Sequence, residues 1–273
     1  MVILVTGCRS GFGLLAAVEA ARRGHRVYAG LRDLGTAGPL REAAGELPVF
    51  PVQLDVTSAE QRQQVVQRIL EEEGRLDALV NNAGIALGGY LEQIDEDELR
   101  RVLEVNVMAV WSLTNLVLPA MREQGSGTIV NVSSISGRLA LPGLGAYACS
   151  KFALEGMSEA LRHELRPFGV RVCLIEPGPY KTDILGRNRA LCRRAYEDGP
   201  YTPYTEKAEQ LFDRIATTAG DPLDVAREIV ALCESKRPPL RTVMGPSARL
   251  RVLLKRYGPW GLLEGVIGRA TSP

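Results

Sequence analysis

Short runs of apolar and β-branched residues recur at Val2–Thr6, Arg26–Gly30, Val49–Leu54, Ala78–Val80, Thr128–Val132, Val170–Ile175 and Thr242–Met244. Runs of this kind, with no polar face, belong to strands buried on both sides. Segments of helical period fill the intervals: Phe12–Arg23, Ser58–Glu73, about Glu96 to Arg122, Tyr147–Arg166 and Asp224–Glu234. Strand alternating with helix requires right-handed crossovers and a parallel sheet covered on both faces. The expected architecture is α/β, a doubly wound seven-stranded parallel sheet in three αβα layers. Boundaries carry their own chemistry: Asp95 followed by Glu96, Asp97 and Glu98 suits a helix start, and Arg22-Arg23-Gly24 a helix stop.

Because 273 residues without a linker, repeat or low-complexity tract fit one large core, residues 1–273 are expected to form a single domain. Lys and Arg number 33 against 32 Asp and Glu, so the chain lacks the basic field on which non-specific nucleic-acid binding depends. Cys8, Cys149, Cys173, Cys192 and Cys233 form no C-x-x-C pair and have no histidine at metal-ligand spacing, which predicts free thiols and no metal site. Free thiols and the absence of a basic leader before Val2–Val5 predict a cytoplasmic protein. No apolar run approaches the roughly 18 residues of a membrane span, so no transmembrane segment is expected.

The first strand ends in Thr6-Gly7-Cys8-Arg9-Ser10-Gly11-Phe12-Gly13, directly before a helix. Glycines permit a sharp turn that brings backbone N–H groups against a pyrophosphate, and the helix N-terminus favours the negative charge. Such a turn in the first βα unit points to a dinucleotide and a Rossmann fold. After the second strand, Leu31-Arg32-Asp33 places a guanidinium where a ribose 2′ substituent lies. Arg32 suits the 2′-phosphate of NADP(H), whereas a one-residue shift would bring Asp33 to the 2′-hydroxyl of NAD(H). NADP(H) is the expected preference, with NAD(H) kept open; Arg9 and Ser10 add a charge and a hydroxyl to the phosphate site.

Tyr147-x-x-x-Lys151 sits at the start of a predicted helix, where positions i and i+4 share a face. A phenol of pKa about 10 is a poor proton carrier at neutral pH, and a neighbouring cation lowers that value. Lys151 and a nicotinamide ring that is positive when oxidised are together expected to depress Tyr147. In isolation the pair reads as a helix-surface Tyr and Lys.

Thr6-Gly7-x-x-x-Gly11-x-Gly13, Asp55, Asn81-Asn82-Ala83-Gly84, Asn106, Ser134, Tyr147-x-x-x-Lys151 and Pro177-Gly178 together resemble the short-chain dehydrogenase/reductases in order and spacing, over roughly residues 1–182. The stretches Val27–Asp33 and Ser150–Gly156 look most like the hydroxysteroid and retinol dehydrogenase branch. The resemblance implies that Tyr147 is the general acid and base, Ser134 a partner of the carbonyl oxygen, and Lys151 a holder of the nicotinamide ribose. Asn106 would anchor a water leading from Lys151 to solvent, or simply bond backbone. Gly7, Arg9, Ser10, Gly11, Phe12, Gly13, Arg32, Asp55, Val56, Asn82, Ala83, Gly84, Tyr147, Lys151, Pro177, Gly178 and Thr182 would contact the cofactor. Asp55 would meet the adenine, unless it serves only to cap the turn at Thr57 and Ser58. Relatives associate through the helices around Glu96–Arg122 and Tyr147–Arg166, so a homodimer or homotetramer is expected.

Gly178–Pro203 has no regular period and reads as a long mobile segment; residues 183–220 are expected to form a substrate lid, with Tyr196, Tyr201, Tyr204 and Phe212 lining a pocket for a lipophilic substrate. The lid has no histidine of the kind some estrogen-active relatives use, which argues against a strictly steroidal substrate. Residues 246–273 form a variable tail of leucines and cations that would dock on the body, cover the pocket or meet a membrane surface. The expected activity is NADP(H)-dependent interconversion of a small-molecule carbonyl and alcohol. The alternatives are a non-catalytic cofactor-binding regulator and an imine or enoyl reductase on the same scaffold.

Overall fold

A computed structural model describes residues 1–183, 190–245 and 247–272, with the side chain of residue 215 excepted. Seven parallel strands form the sheet: β1 (Val2–Thr6), β2 (Arg26–Leu31), β3 (Val49–Gln53), β4 (Ala78–Asn81), β5 (Gly127–Val132), β6 (Val170–Pro177) and β7 (Arg241–Met244). Their spatial order is β3-β2-β1-β4-β5-β6-β7. Chain order reverses between β1 and β4, and that switch point opens a crevice at the carboxyl ends of the strands. All seven expected strands are present, with ends shifted by one or two residues.

Helix α1 (Gly11–Arg22), a short helix at Gly38–Ala44 and α6 (Pro222–Glu234) cover one face. On the other lie α2 (Ala59–Glu73), the long helix α3 (Glu96–Glu123) and α4 (Gly145–Leu165). The first core joins Ile3, Val5, Val27 and Ala29 to Ala17, Ala21 and Ile229; the second joins Leu4, Leu79 and Ile129 to Ile69, Leu113 and Leu161. Alternate residues of β1 thus enter opposite cores, as the period of a strand demands. The helix-start expectation at Asp95 holds, its backbone N–H donating to Glu98 Oε2 at 3.1 Å. Gly24 ends α1 at φ +82, in the left-handed region that glycine tolerates.

Among the described residues one helix, α3, is a weak candidate for a membrane span, so the chain shows no clear transmembrane segment, as expected. By length and composition α3 could cross a bilayer, because Asn106, Ser112 and Thr114 interrupt an apolar sequence without making it charged. Half of that apolar window is buried within the fold against the sheet and α4, which accounts for its composition.

The chain after β6 holds more order than its irregular sequence predicts. Ala190–Leu191 pairs in parallel with Leu87–Gly88, and a 3-10 turn follows at Arg193–Tyr196. Helix α5 (Thr202–Thr217) then precedes α6, and the tail forms α7 (Ala248–Tyr257) and α8 (Trp260–Thr271). Helix α7 packs beside β7 and α8 against α5, so the tail does dock on the body. Within the expected lid, residues 184–189 lie outside the described residues, as do 246 and 273 of the tail. All five cysteines are free thiols.

Candidate active site

A continuous cavity of about 560 Å³ runs along the switch point. At one end it is lined by the β1–α1 turn, by Leu31, Arg32 and Asp33 after β2, and by Asp55 and Val56 after β3. The other end holds Ser134, Tyr147, Lys151, Leu141, Leu144, Leu191 and Phe212.

The turn is built to expose backbone. Gly7 and Gly11 adopt φ +73 and +59, which side-chain-bearing residues rarely reach. Ser10 is extended and makes no side-chain cap bond, and the first turn of the 12-residue α1 has no acid, so that helix opens onto the cavity with its positive end uncapped. The Cys8 thiol turns the other way, donating to the Val5 carbonyl at 3.2 Å. Gly13 lies beneath the turn instead of lining the cavity: a Cβ there would sit 2.4 Å from Asn82 Nδ2 and 2.5 Å from the Gly7 carbonyl. Asn82 staples that turn to β4, its Nδ2 donating to the Thr6 and Gly7 carbonyls at 2.8 and 3.2 Å. Gly13→Ala is therefore expected to push on rigid backbone and to lower stability by about 1–3 kcal/mol. Thermal unfolding of the purified variant checks this, and an unchanged melting temperature would contradict it.

Arg32 and Asp33 both reach the cavity, but Asp33 Oδ1 already accepts the Gly35 N–H at 2.8 Å and caps a 3-10 turn. Asp55 accepts from the Thr57 N–H at 2.9 Å and the Thr57 hydroxyl at 2.7 Å, and these bonds hold its carboxyl below its usual pKa against the opposing effect of burial. It thus fills the capping part that its sequence also suggested, while its side chain still borders the cavity. Arg101, which the sequence reading missed, joins this end from α3 and acts electrostatically on Asp55 together with Arg32. The available signal was its i,i+4 spacing from Val105, another lining residue.

Ser134 follows β5, and its Oγ accepts the Ser136 N–H at 3.1 Å and lies within hydrogen-bonding reach of the Tyr147 phenol. Lys151 is buried one helical turn beyond Tyr147, its Nζ donating to the Val132 carbonyl at 2.8 Å and standing 5.6 Å from the Tyr147 ring centre. Lys151 by itself does not produce the expected depression of Tyr147. Burial pushes the phenol up to about 12, opposed by the Ser134 hydrogen bond, because the ammonium faces a carbonyl and not the phenol oxygen. Burial also lowers Lys151 to about 8, opposed by the Glu155 carboxylate one turn further along α4.

These shifts have a consequence for stability. Between about pH 8 and the usual 10.5 the unfolded chain holds more of the Lys151 proton than the folded one, so this group makes stability rise with pH across that window. Its cost is fully present below about pH 8. Tyr147 has the opposite sign and acts only above its usual 10. Wild type should gain on the order of 3 kcal/mol relative to Lys151→Met over that window. Melting curves against pH read this directly, and parallel curves would refute it.

Asn106 does not line the cavity. It sits in a π-helical turn, Glu104–Met108, within α3. Its Oδ1 accepts the Ile85 N–H, and its Nδ2 donates to the Ile85 carbonyl and to Ser150 Oγ, each at 2.9 Å. It thereby ties the β4 exit to the helix that carries Tyr147 and Lys151. Ala83, Gly84, Pro177, Gly178 and Thr182 all line the cavity, Thr182 lying over Gly11.

The aromatic lining expected of the lid is corrected. Phe212 reaches the cavity, whereas Tyr201 stacks on Tyr90 with ring centres 4.8 Å apart and donates to Glu92 Oε2 at 2.6 Å. Tyr204 meets the edge of the same Tyr90 ring, and Tyr196 is exposed. Aromatic content alone did not reveal that these tyrosines pack on one another. The apolar wall comes from Leu141, Leu144, Leu191 and Phe212, supplied by the loop before α4, the two-residue strand and α5.

Residues 1–192 match the short chain dehydrogenase family, and the chain belongs to that family of NAD(P)-dependent oxidoreductases. It falls in the branch with hydroxysteroid and retinol dehydrogenases. It is 35% identical over 259 residues to a 3-ketodihydrosphingosine reductase of Bacteroides thetaiotaomicron, covering 95% of this chain and 92% of that protein. It is 38% identical over 254 residues to human 17-beta-hydroxysteroid dehydrogenase type 1, covering 88% of this chain and 76% of that one. A short-chain dehydrogenase from Streptomyces avermitilis has the same fold, with TM-score 0.80 and 35% identity over 99% of this chain and 94% of that chain.

Proposed function

We propose that the protein interconverts a carbonyl and an alcohol on a lipophilic small molecule with NADP(H). The observation that carries the reading is the convergence of Ser134, Tyr147 and Lys151 on the apolar end of a cavity whose other end offers an uncapped helix and Arg9, Arg32 and Arg101. The relatives named as reductase of a ketosphingoid base and as hydroxysteroid dehydrogenase support a lipophilic substrate. Asp33 is engaged in its own turn, which supports Arg32 as the partner of a 2′-phosphate and hence NADP(H) over NAD(H).

The residues present fit a dinucleotide. Gly7, Ser10, Gly11 and Phe12 would offer N–H groups to its pyrophosphate, Arg9 and Arg32 would neutralise its 2′-phosphate, and Asp55 and Val56 would border the adenine. Asn82, Ala83, Gly84 and Lys151 would hold the ribose next to the nicotinamide, with Pro177, Gly178 and Thr182 on the side facing α7. When bound, a nicotinamide supplies or accepts the hydride at C4.

A phenol held at about 12 stays protonated throughout the neutral range, so Tyr147 enters carbonyl reduction as a ready proton donor. Ser134 donates to the same carbonyl oxygen and stabilises its growing negative charge. Lys151, still a cation below about pH 8, would hold the nicotinamide ribose while its Nζ also donates to the Val132 carbonyl. Asn106 fixes the helix carrying both residues, and the second lone pair of its Oδ1 would accept the water through which the proton is replaced. In the reverse direction Tyr147 must first lose its proton, so alcohol oxidation should speed up with rising pH. The cavity draws on residues from Gly7 to Arg251, which supports reading 1–273 as one catalytic domain with a lid at 183–220. A panel of hydrophobic ketones followed by loss of NADPH absorbance tests this function; cofactor binding with no consumption on any of them would overturn it.

A further inference from the structure

A surface helix ordinarily turns its apolar stripe to the core. Helix α7 does the reverse. Leu250, Leu253, Leu254 and Tyr257 fall at i, i+3, i+4 and i+7, one face of the helix, and are 49–73% exposed. Arg251, Val252 and Lys255 lie half-buried between them and the body. Helix α8 continues the patch with Trp260, Leu262 and Val266, each more than half exposed. Seven large apolar side chains thus stand exposed on two consecutive helices, and clustered exposure of this kind marks an interaction surface.

Its charge decides the partner. Residues 247–272 carry Arg249, Arg251, Lys255, Arg256 and Arg269 against the single acid Glu264, in a chain whose net charge is only +1. A second copy docked isologously on this face would bring these cations against themselves. An anionic lipid surface meets both halves of the pattern: headgroups pair with the cations, and the leucines enter the acyl boundary. Lys255 Nζ lies 3.7 Å from the centre of the Trp260 ring, and the Arg256 guanidinium 5.2 Å from that of Tyr257. Each pair sets a cation beside an aromatic ring of the kind that settles at headgroup depth.

We propose that α7 and α8 form a docking face for anionic phospholipid membranes, lying in the headgroup plane without crossing the bilayer. Arg251 of the same helix lines the active-site cavity, so the docked face borders the substrate chamber. Entry of a bilayer-dissolved substrate there rests on the function proposed above; the docking does not.

The test is co-sedimentation of the full-length protein with vesicles of phosphatidylcholine containing phosphatidylglycerol, and with vesicles of phosphatidylcholine alone. The expected result is partition onto the anionic vesicles that weakens with salt and falls roughly tenfold or more in Leu250→Glu/Leu254→Glu. The melting temperature of that double variant should match wild type, since both side chains face solvent. No sedimentation with either vesicle, equal binding to the neutral one, or undiminished binding by the double variant would each overturn the proposal. So would a wild-type dimer in vesicle-free sedimentation velocity that the double variant abolishes, which would give the face to a second copy.

Discussion

Tyr147→Phe should lose about a hundred- to ten-thousandfold in turnover of a ketone, the range supplied by a positioned general acid. That range corresponds to about 3–5 kcal/mol of transition-state stabilisation. Removing the hydroxyl leaves the half-buried ring in place beside Lys151 and takes away only the proton and its bond with Ser134. NADPH affinity, measured by quenching of protein fluorescence, should therefore stay within about threefold of wild type. A variant that has lost both turnover and cofactor binding would instead point to a structural role for the phenol.

Arg32→Ala should have the second large effect, on cofactor choice. A charge-assisted hydrogen bond to phosphate contributes roughly 1.5–3 kcal/mol, so kcat/KM with NADPH should fall about ten- to hundredfold. Efficiency with NADH, which lacks the 2′-phosphate, should hardly change. Asp33 is committed to the Gly35 N–H and does not compete for the ribose in this geometry. Arg101 reaches the same end of the cavity and is positioned to leave the variant some residual preference. A wild type that favours NADH would contradict the assignment of Arg32 outright.

The sheet was legible in the sequence because its strands coincide with short apolar or β-branched runs, each followed by a helical period or a turn signal. Val2–Thr6 and Val170–Ile175 needed no tertiary information. Leu87–Gly88 and Ala190–Leu191 did: a two-residue pairing between segments a hundred residues apart leaves no periodicity to detect. The residues around the turn were legible for a similar reason, since Gly7 and Gly11 are demanded by backbone angles that few residues adopt. Gly13 answers a different demand, the closeness of Asn82.

Orientation was what the sequence withheld. Tyr147 and Lys151 share a helix face as their spacing predicts, yet the ammonium is drawn to the Val132 carbonyl, and burial moves the phenol up instead of down. Tyr201 and Tyr204 have the composition of a pocket wall and are occupied by Tyr90. Asn106 reads as a costly amide in an apolar helix, and in the fold it sits in a π turn with both its ends satisfied by Ile85 and Ser150. In each case the residue type was informative and its partner came from a distant part of the chain.

The central claim is hydride transfer to a carbonyl carbon, with Tyr147 supplying the proton to its oxygen. NADPH deuterated on the transferred face of nicotinamide C4, incubated with the enzyme and a hydrophobic ketone, tests it in one product analysis. The expected product is an alcohol carrying the label on its carbinol carbon and an exchangeable proton on its oxygen, formed far more slowly by Tyr147→Phe. With a panel that also holds an imine and an enone, label recovered instead on a carbon bearing nitrogen or at the β-carbon of the enone would contradict the account.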